Sequence, residues 1–326
     1  MEIVTNQERA IRLFARLIAD HRSGEFPYTA ENMAKLPQAQ VGKELWNNAN
    51  FWFYLCHLMR GMIKSDYAAS QVVQLYRLTP ELFDPAQAVK MTGEDINEQL
   101  KQVFTLSDAV LRWQRYGQAW RRNSEILLAW GGNILDVYRG CRTEADIRAR
   151  VMNKLKYGLP LKEQGFYTFQ EKMCSLLTYF LMVAELIPII RVSPPIDFHH
   201  MRVMVGTGMI DLPEGSYRPK LVAAAGDRIG RDYLDRFRRM EPVKFADLLF
   251  VLSREGCARA VTEADADWDD STVIGRYQRS CGRCPLEDEC HRTVVTDDYY
   301  IRDGRSRVRV IQVISRPKPP RPSRLG

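Results

Sequence analysis

No run of about 18 consecutive apolar residues occurs in the chain, so the sequence offers no membrane-spanning helix. The first residues, Met1-Glu2-Ile3-Val4-Thr5-Asn6-Gln7-Glu8, lack the basic-then-apolar order of a secretory signal, and a soluble cytoplasmic protein without membrane contact is expected. Alternating strand-like runs are scarce: only residues 308–314 alternate, weakly, as a terminal strand or an extended arm. No internal repeat is present. The seven cysteines are an odd number with no export signal, which argues against disulfides and for a reducing compartment, where clustered thiols bind metal or do redox chemistry.

What is present suits a sizeable core. The chain has 326 residues, 45% hydrophobic and 27% charged, enough for one large domain or two joined ones. Apolar residues recur at helical spacing over 11–18, 51–63, 69–78, 110–120, 124–130, 145–155, 172–185, 228–240 and 245–253, so the fold class is all-α. Pro80, Pro85, Gly131-Gly132, Gly158-Leu159-Pro160, Ser193-Pro194-Pro195 and Leu212-Pro213-Glu214-Gly215 punctuate these runs. The stretch 316–322 holds four prolines, cannot form a helix interior, and reads as a basic tail. The net charge of +7 is concentrated at Arg112, Arg115, Arg121 and Arg122, over 228–239 and over 302–324. That pattern fits a polyanionic partner or, more plainly, solvated helix faces.

Cys281-Gly282-Arg283-Cys284 and Cys290 place three thiols within ten residues, and Cys257, at the end of a helical run, is the natural fourth. The spacing is C-x23-C-x2-C-x5-C. Thiolates are soft, strongly donating ligands, and four of them complete the coordination of an iron-sulfur cluster or of zinc. For zinc, His291 is an alternative ligand. Cys56, Cys141 and Cys174 sit in apolar helical patterns and read as core residues.

The loop of Cys281, Cys284 and Cys290, preceded by a helix ending in a cysteine, resembles the cluster loop of the endonuclease III family, within the helix-hairpin-helix DNA glycosylase superfamily. That family has a shorter first interval, so residues 258–280 look like an insertion. Upstream, Ser193-Pro194-Pro195-Ile196-Asp197-Phe198-His199-His200-Met201-Arg202-Val203 resembles the signature V-D-T-H-V-x-R-V. The resemblance assigns Asp197 to the catalytic carboxylate, His199 or His200 to the histidine and Arg202 to the arginine. A carboxylate beside C1' stabilises the oxocarbenium-like state of N-glycosidic cleavage. As a plain structural feature, Asp197 would be a helix N-cap. Phe166-Tyr167-Thr168-Phe169-Gln170-Glu171-Lys172-Met173-Cys174 stands where the family has the hairpin L-P-G-V-G-x-K-T-A, with Lys172 on the nucleophilic lysine and Thr168 and Gln170 in place of the glycines. The alternative is a surface helix lysine. Residues 53–66 resemble the early helix and its A-Q-A-T-D turn, with Ser65-Asp66 in the T-D place. Ile63, in the glutamine's place, is either a wedge into the gap left by a flipped base or a core residue. Residues 115–125 are similar to the G-x-x-x-x-K-A segment.

The resemblance implies a bilobal, all-α protein with a C-terminal 4Fe-4S cluster loop. Its parts are an N-terminal helical segment (1–44), a helical barrel (45–190), a lobe with the catalytic aspartate and the cluster (191–300), and a basic tail (301–326). It implies a monomeric, nucleoid-associated DNA glycosylase that acts on a base flipped from double-stranded DNA, with possible lyase chemistry at Lys172. Arg202, together with Arg283 and Arg292 on a basic cluster loop, would contact DNA phosphates. The altered consensus positions suggest a bulky modified base, such as those of foreign phage DNA. The rival readings are a hydrolase of a free modified nucleoside or nucleotide, and a non-catalytic iron-sulfur DNA-binding protein.

Overall fold

The computed structural model describes residues 3–27, 36–59, 63–105, 113–154, 158–236, 244–257, 281–291, 293–302 and 306–315. The chain divides into two compact units: a middle unit, Met33–Pro195, and a terminal unit made of Met1–Asn32 with Ile196–Gly326. It is predominantly helical.

The terminal unit begins with strand β1 (Val4–Thr5) and helix α1 (Gln7–Ser23). Asn6 starts α1 by accepting a hydrogen bond from the Arg9 N–H, and Gly24 ends it with a left-handed φ of 80°. Ala10, Leu13, Phe14, Leu17 and Ile18 fall three and four residues apart, share one face and are all buried. Arg9, Arg12 and Arg16 repeat the same spacing on another face.

The middle unit runs through α2 (Lys43–Trp46), α3 (Ala49–Leu58), α4 (Ser65–Leu78), α5 (Pro85–Ala88), α6 (Gly93–Val103), α7 (Trp113–Trp130), α8 (Ile134–Tyr138), α9 (Glu144–Val151), α10 (Leu161–Gln164) and α11 (Glu171–Val183). Its core is α3. Phe51, Trp52, Phe53, Tyr54, Leu55 and Cys56 are apolar around the whole helix, which is stable only when enclosed, and α4, α7, α8 and α11 pack on it. Tyr54 stacks on Trp120 at 4.4 Å between ring centroids, and its hydroxyl meets Ser124 at 2.6 Å. Each such ring contributes about 2–3 kcal/mol by burial. Helix α6 was not among the periodic runs, because only Ile96, Leu100 and Val103 supply its apolar side. A Thr92–Asp95 capping box sets its start.

The terminal unit resumes with α12 (Phe198–Gly206), strands β2 (Ile210–Asp211) and β3 (Gly215–Tyr217), α13 (Pro219–Arg236), α14 (Lys244–Val251), a π-helical turn (Leu252–Cys257), and strands β4 (Thr293–Arg302) and β5 (Ser306–Ser315). β1 pairs antiparallel with β2, which ties the start of the chain to the exit of α12. α1 packs on α13 and α14, with Phe14 edge-on to Tyr233 at 4.9 Å. β3, β5 and β4 form an antiparallel sheet in that order, with β4 and β5 in register from Thr293↔Ser315 to Arg302↔Ser306.

This sheet adds to the all-helical expectation. β5 covers the weakly alternating run 308–314. Its partner β4 was not anticipated, since Thr-Val-Val-Thr-Asp-Asp-Tyr-Tyr-Ile-Arg lacks alternation and owes its strand form to the pairing. Residues 306–315 therefore belong to a sheet and not to the basic tail that was drawn from 301; residues 316–326 lie outside the described ones.

Candidate functional site: the aspartate helix and the cysteine loop

Asp197 is the N-cap of α12. Its Oδ1 accepts from the backbone N–H groups of His199 (2.9 Å) and His200 (3.3 Å), a carboxylate at the positive end of a helix. The His200 ring closes a capping box by accepting the Asp197 N–H at Nδ1 (3.3 Å); Nδ1 also lies 2.7 Å from the same Oδ1, while Nε2 lies 3.0 Å from the Ala246 carbonyl. A carbonyl oxygen only accepts, so Nε2 carries a hydrogen. The ring, 4% exposed, holds the carboxyl in one orientation. His199 points elsewhere, with Nδ1 3.1 Å from Ser253 Oγ and its ring on Phe250 at 4.8 Å.

The other end of α12 meets the cysteines. Within 281–290 the chain turns tightly: Cys284 N–H donates to Cys281 O (2.9 Å), Glu287 N–H to Cys284 O (3.1 Å) and Cys290 N–H to Leu286 O (2.9 Å), around a fully buried Leu286. The Cys290 thiol donates to the Gly206 carbonyl at 3.3 Å, and His291 N–H donates to the same oxygen at 2.8 Å. The loop thereby satisfies a carbonyl that the last turn of α12 leaves without a helical partner. Burial pushes the Cys257 thiol up to about 12, helped by Cys290 and opposed by Arg202. Cys284 is pushed well above its ordinary value by burial, then by Cys257, with Cys281 and Cys290 adding to it. Cys284 thus feels the charges of the other three thiols, and Cys257 that of Cys290. Among the described residues, however, no three His, Cys, Asp or Glu side chains are already arranged to hold a metal ion.

Three arginines of α1 grip this loop. Arg9 donates from Nε to Thr207 O and from Nη2 to Glu289 O, both at 2.5 Å, and pairs with the Glu289 carboxylate at 3.2 Å. Arg12 pairs with Glu289 at 3.0 Å, and Arg16 reaches both Asp288 oxygens at 2.9 Å, which lowers the Asp288 carboxyl below its usual range. Arg9 therefore joins the exit of α12 to the residue before Cys290. The expected basic cluster loop needs correcting here: residues 281–290 contain one arginine, Arg283, against Glu287, Asp288 and Glu289, and their visible partners are protein arginines. Arg283 is exposed, and Arg292 lies outside the described residues.

Lys172 belongs to the middle unit. It is the second residue of α11, half-buried, and its charge reaches the buried Cys56 thiol. The preceding connection is a tight turn: Phe169 N–H donates to Phe166 O at 3.1 Å, and Thr168 takes a φ of 73°. A threonine thus stands in left-handed backbone where the resemblance has glycine. Gly165 opens the turn at a φ of 67°, and a Cβ there would lie 1.8 Å from the Met152 carbonyl oxygen. Glycine is obligatory at this point.

The remaining predicted residues are dispersed. Ile63 is half-buried just before α4. Arg202 turns inward, donating from Nε to Val295 O at 3.2 Å with its guanidinium over the Phe198 ring at 4.5 Å. This places it as a bracket between α12 and β4 in the described contacts. A cleft of about 500 Å³ at the start of α6 is lined by Glu94 and Glu125 as well as Arg121 and Arg122, and its charges balance. Sequence reasoning missed Arg9, Arg16 and Asn123. The i, i+3, i+7 arginines of α1 facing an acidic triplet were the available signal for the first two; Asn123 left none. No protein-family model matches the chain, and no curated protein matches it.

Proposed function

We propose that the protein is a DNA glycosylase of the helix-hairpin-helix type, which cleaves the N-glycosidic bond of a modified base. The reading is carried by Asp197, a carboxyl fixed by His200 at the head of a helix whose far end meets the three-cysteine loop. As positive charge develops on the deoxyribose, the Asp197 carboxylate would stabilise it, and the helix N-terminus favours its ionised form. His200 would hold the carboxylate in position. Lys172, as an amine nucleophile, would attack C1' as the base departs with a proton; the C1'–O4' bond would then break, O4' taking up a proton as the nitrogen lone pair forms the C=N bond of a Schiff base.

Cys257, Cys281, Cys284 and Cys290 fit a four-thiolate centre in donor type. Burial and mutual repulsion oppose thiolate formation there, and a cationic centre is what reverses both. Binding would have to draw the four thiols to a common point. Such a centre, a 4Fe-4S cluster or zinc, would cross-link the loop to the π-helical turn.

The engagement of Asp197 Oδ1 in helix capping supports a second reading, a non-catalytic metal-containing DNA-binding protein. Base release from a panel of modified duplexes, with borohydride trapping on an abasic duplex, separates the two. Release abolished in Asp197→Asn supports the glycosylase, and a trapped adduct lost in Lys172→Ala adds the lyase step. DNA binding with no release from any duplex sinks the enzyme reading. Iron and acid-labile sulfide, measured against zinc, identify the centre.

A further inference from the structure

We infer that Tyr167, displayed at the tip of the turn between α10 and α11, is a nucleobase-stacking residue whose ring holds an exposed base of DNA. This rests on the DNA reading above and adds a contact that reading does not assign.

The argument begins with Phe166-Tyr167-Thr168-Phe169. These four residues are closed by the hydrogen bond from Phe169 N–H to Phe166 O, and only the third has a positive φ, the geometry of a type II turn. Glycine normally fills that place. A β-branched threonine costs about 1 kcal/mol or more there, so the rest of the structure must enforce the conformation. It does so from three sides. Phe166 and Phe169 are fully buried and pack on Phe53 at 4.7 and 5.3 Å. Phe166 N–H donates to Val151 O, and Asn153 N–H donates to Phe169 O, both at 2.9 Å. Finally Asn123, with no exposed surface, accepts from Tyr167 N–H at 2.6 Å and donates to Tyr167 O at 3.1 Å.

Both backbone polar groups of Tyr167 are therefore turned inward, while its side chain stays outside, 53% exposed. A single exposed aromatic is ordinary on a protein surface. A ring mounted on a strained turn and locked by a buried asparagine is not, because the ordering cost of binding has already been met in folding. With its amide committed to Asn123, Tyr167 offers a ligand its ring and not a phosphate-binding N–H.

The surroundings favour a base of a charged polymer over an apolar protein groove. Its neighbours along the chain on this turn include the polar residues Gln164, Thr168 and Gln170. Lys154 and Lys162 are exposed on the flanking segments and Lys172 is half-buried, against exposed Glu163 and Glu171. Stacking a base on an aromatic ring is worth about 1–3 kcal/mol and tolerates any base, so the fitting ligand is an unpaired or extruded base with its phosphates near these lysines.

Fluorescence anisotropy of the full chain with a labelled duplex carrying a single-nucleotide gap tests this. Tyr167→Phe should bind as wild type does, and Tyr167→Ala about tenfold or more weakly, the lower part of that stacking range. Because stacking releases no counterions, the slope of log Kd against log salt should not change in Tyr167→Ala. Equal melting temperatures would show that the variant folds. If wild type binds the duplex and Tyr167→Ala binds equally well, or loses affinity through a shallower salt slope, the inference fails while the DNA reading stands. If wild type binds no DNA, the DNA reading fails first.

Discussion

Replacing Arg9 by methionine isolates the grip of α1 on the cysteine loop. Methionine keeps most of the apolar stem, so packing is largely retained and the guanidinium contacts are what is lost. Two of those contacts are hydrogen bonds from a charged donor to the Thr207 and Glu289 carbonyls, on a side chain only 18% exposed. At ~1.5–3 kcal/mol for each such bond, and with the partly exposed Glu289 ion pair adding under ~1 kcal/mol, the expected loss is about 3 kcal/mol or more. Arg12→Met is the control. Its side chain is 59% exposed and pairs with the same Glu289 carboxylate without reaching a main-chain carbonyl, so its loss should stay under ~1 kcal/mol. Urea denaturation of both variants gives the comparison. High salt should erase the Arg12 contribution and leave most of that of Arg9, since buried hydrogen bonds are screened far less than surface pairs. The reasoning is refuted if Arg9→Met costs no more than Arg12→Met.

Three further outcomes follow from the same geometry. Asp197→Asn should leave stability within a few tenths of a kcal/mol, because asparagine caps as well as aspartate, whereas Asp197→Ala should lose about 1 kcal/mol or more; a large loss in Asp197→Asn would mean that the capping account is incomplete. Gly165→Ala should be among the most damaging small substitutions in the middle unit, costing ~2 kcal/mol or more from left-handed backbone plus collision with the Met152 carbonyl, and a melting temperature equal to wild type would contradict the turn geometry. The buried Cys174 thiol is pushed from 9.0 up to about 12, chiefly by desolvation. The folded state thus holds that proton more tightly than the unfolded chain, so the contribution is fully present below 9.0 and is lost as pH rises toward 12. Denaturation measured across that interval should show stability falling, and it should fall less in Cys174→Ala.

Legibility in the sequence followed locality. The apolar run around Phe51 to Cys56 required an enclosed helix wherever it sat, and α3 is that helix. The Pro-Pro-Ile-Asp order at 194–197 is a local helix-start signal, and Asp197 caps α12. β4 is the contrary case, since its ten residues carry no strand periodicity and take their form from β5. Arg202, read as a DNA contact, turns inward because β4 supplies a main-chain oxygen that no sequence pattern announces.

The sequence by itself determined most of the longer helices, the spacing of Cys281, Cys284 and Cys290, and the start of the aspartate helix. Each depends on interactions within a few residues, which backbone geometry and side-chain type specify directly. Only the tertiary structure decided that Arg9 reaches Glu289 across 280 positions of chain, and that Asn123 turns the Tyr167 backbone inward and leaves its ring outside. Those contacts arise where separate apolar faces close on one another, and the polar groups then brought together are set by the packing and not by their neighbours in sequence.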